Sequence, residues 1–168
     1  METEFKQGLQ AYLAATDTGL RDLGDLVAFN RAHAATVMPH FGQEILEASL
    51  GRGGLDEPDY RDALATCRRL ARAEGIDAAL ARDRLDAIIA PTTTPAWLID
   101  WLCGDNRRGG ASCASAVAGY PHITVPMGCV DHLPVGLSFF AGVFAESGLI
   151  RMGFAFEQRT RHHRPPPL

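Results

Sequence analysis

The chain changes texture at Leu85, and that change limits what it can fold into. Before it, apolar residues recur at the spacing of packed helices. After it come short apolar runs, each closed by a proline or a glycine. "DAIIAP" stops at Pro91, "HITVPMG" is β-branched and is read as a strand ending at Pro126, and "LPVGLSFFAG" is apolar almost throughout. Continuous apolar runs of this kind are expected in a sheet covered on both faces. "VDHLP" between the last two reads as a hairpin-type connection. The order is therefore helices, strand, helix, strand, strand, helix, an α/β layered arrangement. Three strands are few for such a sheet, so neighbouring strands are expected from polypeptide outside these 168 residues.

The first half supplies the helices. Phe5, Leu9, Tyr12 and Leu13 fall on one face of a first helix. Asp22 is placed to cap a second, with Leu23, Leu26, Val27 and Ala34 as its stripe, ending near Met38 because Pro39 disfavours helical geometry before it. "GQEILEASL" gives a short third helix stopped by Gly51, Gly53 and Gly54. A long helix follows from Glu57, with Pro58 in its first turn and Tyr60, Leu64, Cys67, Leu70 and Ala71 as its stripe. Gly75 predicts a kink or break in it. Later, "SCASAVAG" reads as a helix stopped by Gly119, and a closing helix carries Leu149, Ile150, Gly153, Phe154 and Phe156. The tail 164–168 is expected to fray, and with no internal repeat or linker the chain is expected to be a single domain.

Composition excludes several classes. The net charge of −4 is too mild for a nucleic-acid binder. No apolar run reaches the roughly 20 residues of a membrane span, and "METEFKQGLQ" lacks the apolar core of a signal peptide, so a cytoplasmic location is expected. Cys67, Cys103, Cys113 and Cys129 are scattered without metal-ligand spacing, so neither a metal site nor a disulfide is expected. Lys6 is the single lysine, which leaves any mechanism needing a catalytic lysine with one candidate.

"GGASCAS" gathers Ser112, Cys113 and Ser115 after a glycine pair, the composition of a nucleophile loop. It is not the G-x-S-x-G elbow, and small residues of this kind also open and pack a helix. An independent hydrolase using Ser112 or Cys113 is thus one reading and a structural helix the other. His33, His40, His122, His132, His162 and His163 lack a carboxylate at triad spacing and read as surface or hydrogen-bonded histidines. "GRGG" has no P-loop lysine. "APTTTP" follows a strand and carries three hydroxyls, where α/β sheets commonly line ligand sites.

Four stretches in order, "DAIIAPTTTPA", "AVAGYPHITVPMG", "LPVGLSFF" and "FEQRTR", resemble the amidase signature family, with "LVAFNRAHA" and "MPHFGQEIL" upstream also similar. The resemblance implies a large mixed sheet wrapped by helices. It implies amide hydrolysis by a serine acting with a second serine and a lysine, without metal or organic cofactor. The signature carrying those three groups lies N-terminal to everything matched, and no stretch here carries it. The chain therefore reads as the C-terminal portion of an amidase, inactive alone. Thr92, Thr93, Asp105, Ser112 and Ser115 are its candidate substrate-wall residues. A missing N-terminal half or self-association is expected to cover its exposed apolar faces, with a small-molecule amide as substrate once the enzyme is complete. The alternative is a non-catalytic α/β domain kept for binding or assembly.

Overall fold

The computed structural model describes residues 1–105 and 108–165. The expected frayed tail lies in part outside them. The chain divides into two compact units, Met1–Leu64 and Ala65–Leu168.

The first unit is helical: α1 (Glu2–Ala14), α2 (Leu23–Ala32), the single turn α3 (Ala34–Val37) and α4 (Glu44–Leu50). Asp22 caps α2 as its sequence position predicts, accepting the Asp25 N–H at 2.9 Å. Leu13, Leu23 and Val27 are buried, and so is Gln43, whose amide donates to the Val27 carbonyl at 3.1 Å. Two sequence readings are corrected. Tyr12 stands in solvent, because α1 buries a narrower stripe than its apolar positions suggest. The second helix closes at Ala32 and restarts as α3, so Ala34 is not on its stripe.

The helix α5 (Pro58–Ala71) runs from this unit into the second and passes into a π-helical turn, Arg72–Ile76, then α6 (Asp77–Asp83). The expected break at Gly75 is thus one widened turn rather than a stop. A β-carbon at Gly75 would fall on the Leu70 carbonyl oxygen, so the turn is wound too closely for any other residue. The predicted stripe of α5 is only partly covered: Tyr60, Leu64 and Ala71 are half-buried, Ala71 against the Ile76 and Phe140 cluster, while Cys67 and Leu70 are exposed.

Three strands follow, β1 (Ile88–Pro91), β2 (His122–Val130) and β3 (Leu133–Phe140), with α7 (Ser112–Ala118) between the first two and α8 (Glu146–Thr160) after the last. β3 is central and antiparallel to both neighbours, giving the order β1-β3-β2. The Asp131-His132 turn joins β2 to β3 with positive φ at both residues, the conformation that matches strand twist in a two-residue hairpin. β2 does not end at Pro126. It continues to Val130 through a bulge between Pro126 and Gly128, which is how an edge strand accommodates a proline.

The sheet is layered, but its strands alternate after all. Ile123, Val125, Leu137 and Phe139 face α8 and form the main core with Leu149. Phe140 and Ile88 face the other way, against Ile76 and Ala118 of the π turn and α7. His122, Thr124 and Ser138 share that second face, so the apolar-looking runs place hydroxyls and an imidazole beside Phe140 there. β1 is less covered than expected: Ile89 is 60% exposed. On α8, Leu149 and Gly153 are buried as predicted, while Ile150 and Phe154 stay exposed. No helix among the described residues is long and apolar enough to cross a membrane.

Candidate functional site

The polar face of the sheet gathers five side chains into one network. His122 Nδ1 lies 2.7 Å from Ser115 Oγ, and its Nε2 lies 2.7 Å from Ser138 Oγ. Ser138 donates to Thr92 Oγ1 at 2.8 Å and lies 3.2 Å from Thr124 Oγ1, and Thr92 and Thr124 close the triangle at 3.0 Å. Ser115 also donates to the Ser112 carbonyl at 3.1 Å. Phe140 stacks on the imidazole. Burial holds the His122 pKa below the ordinary histidine value, so the ring is neutral at neutral pH.

A serine 2.7 Å from an imidazole has the spacing of a nucleophile and its base. Access decides against that role. Ser115 is 1% exposed and Ser138 not at all, so no carbonyl carbon reaches either hydroxyl. The far side of the ring meets a hydroxyl rather than a carboxylate. Ser112 and Cys113 are exposed on the first turn of α7, and among the described residues the imidazole hydrogen-bonded to this helix is on Ser115 instead. Lys6 donates to the Leu50 and Arg52 carbonyls at 3.0 and 2.5 Å within the N-terminal unit.

The network instead fixes the chain after β1. Thr92 N–H donates to the Gly136 carbonyl at 2.7 Å, and the Thr92 carbonyl accepts the Ala111 N–H at 3.1 Å. Gly136 is required here, because a β-carbon would sit 2.7 Å from Thr92 Oγ1. α7 is tethered at its other end. Arg72 Nε donates to the Ala118 carbonyl at 2.6 Å and the guanidinium lies over the Tyr120 ring, whose hydroxyl donates to Asp77 at 2.9 Å. Burial, with Asp77 beside it, raises the Tyr120 pKa.

Beyond Thr92 the chain opens into a cavity of about 430 Å³ walled by Pro91, Thr93, Pro95, Met127, Val130 and Val135. Thr93 Oγ1 donates to the Gly109 carbonyl at 3.3 Å across its mouth. Asp105 accepts the Trp97 indole N–H at 3.3 Å. Asp100 accepts the Leu102 and Cys103 N–H groups at 2.9 and 2.8 Å, which hold its carboxyl below the usual range. A larger cavity of about 650 Å³ lies in the N-terminal unit beside Met38 and Phe41. Its buried polar group, Gln43, is satisfied by Asn30 and Val27, so nothing there calls for a ligand. Among the described residues no cluster of histidine, cysteine and carboxylate side chains has metal-site geometry.

Of the candidate wall residues, Thr92 and Ser115 thus meet in the network, Thr93 lines the cavity, Asp105 steadies the loop that follows, and Ser112 lends its carbonyl. Sequence reading did not single out His122, Thr124 or Ser138 for this face. Their signal was present as the alternation His-Ile-Thr-Val and the lone serine between Leu137 and Phe139.

Known proteins are similar to this chain in sequence and fold. A probable amidase of Arabidopsis thaliana is 33% identical over 166 residues, 97% of this chain and 29% of its own length. A crystal structure of the peptide amidase PAM in complex with the competitive inhibitor chymostatin is 50% identical and superposes with a TM-score of 0.95 over 99% of this chain and 34% of its own. This chain belongs to the amidase signature family. Native peptide amidase from Stenotrophomonas maltophilia, 48% identical, matches with a TM-score of 0.90 over 99% of this chain and 33% of its own. The amidase signature chain described here spans about a third of the length of these relatives. No protein-family model matches it.

Proposed function

We propose that this chain is the C-terminal part of an amidase that hydrolyses carboxylic amides, with a Ser-Ser-Lys catalytic set carried by polypeptide outside it. The observation that carries this reading is the match along 99% of the chain to 34% of a peptide amidase, at a TM-score of 0.95. Two local features support it. Its single lysine is held by backbone carbonyls, and its histidine-bound serine is closed to substrate. In this reading the chain contributes part of the sheet and one wall of the substrate pocket. Thr93 stands on the cavity side of that wall, Thr92 and Ser115 hold it from behind, and Ser112 and Asp105 shape the loops beside it.

A second reading, a non-catalytic domain kept for assembly or binding, draws on the exposed Leu98, Leu102 and Phe144. Large apolar side chains left in solvent favour a partner or self-association. One experiment separates the two. The chain is assayed for ammonia release from a peptide amide, alone and mixed with a polypeptide covering the remainder of the Stenotrophomonas peptide amidase. The amidase reading expects no turnover alone and turnover in the mixture. Turnover by the chain alone overturns it, and an inactive mixture in which light scattering shows a stable complex favours the assembly reading.

A further inference from the structure

The side chains of Ser115, His122, Ser138 and Thr92 make one arm of a closed ring of hydrogen bonds. The other arm is backbone. The Ala111 N–H donates to the Thr92 carbonyl at 3.1 Å, and the next residue, Ser112, offers its carbonyl to Ser115. The ring clasps the start of α7 to the chain leaving β1, all within the second unit.

Counting protons fixes the direction of the side-chain arm. A hydroxyl has one proton to give, and a neutral imidazole has one N–H and one bare nitrogen. Ser138 gives its proton to Thr92 Oγ1. The 2.7 Å contact at His122 Nε2 therefore needs the ring proton on Nε2, donating to Ser138 Oγ. That leaves Nδ1 bare, and it accepts from Ser115 Oγ at 2.7 Å. Ser115 has a second acceptor in reach, the Ser112 carbonyl at 3.1 Å.

We propose that His122 and Ser115 form a pH-sensitive switch in this clasp, in which proton uptake at Nδ1 reverses their hydrogen bond and turns the Ser115 hydroxyl onto the Ser112 carbonyl. Nδ1–H then donates to Ser115 Oγ, and the one proton of Ser115 goes to Ser112. The arm from Nε2–H through Ser138 to Thr92 keeps its direction. The half-buried ring takes the proton from solvent, and no covalent bond changes besides the new N–H. The charged ring is thus housed without an orphaned donor, which would otherwise carry its full desolvation cost. The change lands on the first turn of α7, one residue from the Ala111 N–H that holds Thr92. Acid therefore strengthens the tie at the α7 end of the clasp and leaves the β1 end as it was.

The ring stands apart from the charges around it. β1 and β3 carry no titratable side chain, and α7 carries Cys113, which is exposed. On the π turn and α6, Arg72 is tied to the Ala118 carbonyl and the Tyr120 ring, Asp77 accepts from the Tyr120 hydroxyl, Glu74 pairs with Arg69, and Arg82 pairs with Asp83. On β2 the other titratable group is Cys129, exposed near the far end of the strand. Burial is what lowers the His122 pKa, so the switch answers to solvent pH rather than to a neighbouring charge.

The test is NMR of the full chain, with nitrogen-15 in histidine and carbon-13 in the backbone carbonyls, titrated from about pH 8 to about pH 5. Comparison with His122→Ala assigns the ring. At the upper end the neutral ring is expected as the Nε2–H tautomer. As Nδ1 takes up its proton, the Ser112 carbonyl signal is expected to move with the same midpoint while circular dichroism stays native. In Ser115→Ala the Ser112 signal is expected to stop following the ring, and the midpoint to fall, because Nδ1–H has lost its acceptor. In Ser138→Ala the neutral ring is expected to shift towards the Nδ1–H tautomer. A native ring found as Nδ1–H when neutral overturns the proposal. So does a Ser112 carbonyl that ignores the titration of the ring, or that follows it unchanged in Ser115→Ala. Unfolding that coincides with protonation of the ring overturns it as well. The native tautomer and the native Ser112 signal need no variant, so a Ser115→Ala chain that fails to fold leaves both decisive.

Discussion

His122 Nε2 and Ser138 Oγ lie 2.7 Å apart as diagonal neighbours on adjacent strands, since His122 is paired with Phe140 and Ser138 with Thr124. Diagonal neighbours on a sheet face are reached by long side chains and not by short ones, so the imidazole bridges a gap that no serine or threonine at position 122 spans.

The first prediction concerns that bridge. His122→Ala removes the ring, strips Ser115 and Ser138 of a partner each, and leaves a void against Phe140. The expected loss is about 2–4 kcal/mol of stability. Urea unfolding followed by circular dichroism measures it, and a change within experimental error would show that the network adds nothing.

The pH dependence of stability follows from the same residue. Burial lowers the folded-state pKa of His122 below the ordinary value of 6.5, so the unfolded chain takes up the proton first as pH falls. Its contribution is therefore complete above about pH 6.5 and declines as pH drops towards the folded-state pKa. Melting temperature against pH is expected to slope upward through this window in the native protein and to flatten in His122→Ala. The lowered carboxyls of Asp25, Asp83 and Asp100 act in a separate window below the ordinary value of 3.8. An imidazole that titrates above 6.5 by NMR would contradict the assignment.

Gly75 gives a prediction with an inverted sign. In an ordinary helix, alanine in place of glycine gains about 1 kcal/mol. Here the added methyl meets the Leu70 carbonyl, so Gly75→Ala is expected to destabilise the chain. Thermal melts of the two proteins decide it, and a higher melting temperature for the variant would mean the π turn relaxes freely to α-helix.

In the N-terminal unit, Asp22→Ala deletes the acceptor of the Asp25 N–H at the start of α2. A loss of about 1 kcal/mol is expected, with Asp22→Asn retaining most of it. Hydrogen exchange at Asp25 provides a local readout.

The alternation of element types was legible in the sequence because each signal was local. Asp22 announced α2, Gly119 ended α7 in the left-handed conformation, and Pro91 closed β1. The site was half legible. Thr92, Thr93 and Ser115 stand out as hydroxyls beside turns, and each occupies a distinct place around the cavity or its backing. His122 and Ser138 are 16 residues apart, and only strand register brings them together. Sequence periodicity hid that register because "LSFF" reads as apolar when aromatic Phe140 and hydroxylic Ser138 share a face. The half-covered stripe of α5 was illegible for another reason. An apolar face predicts that something packs there, but not that the partner lies in the same chain.

The alternation along β2 and β3 also governs which changes in chain length the protein tolerates. A single residue added to either strand would carry Val125 or Phe139 across to the hydroxyl network and push a serine or histidine into the α8 core, while two added residues would restore the faces. Natural length variation should therefore collect outside these two strands, and where it enters them it should come in even steps. The hairpin behaves like a reading frame written in side chains.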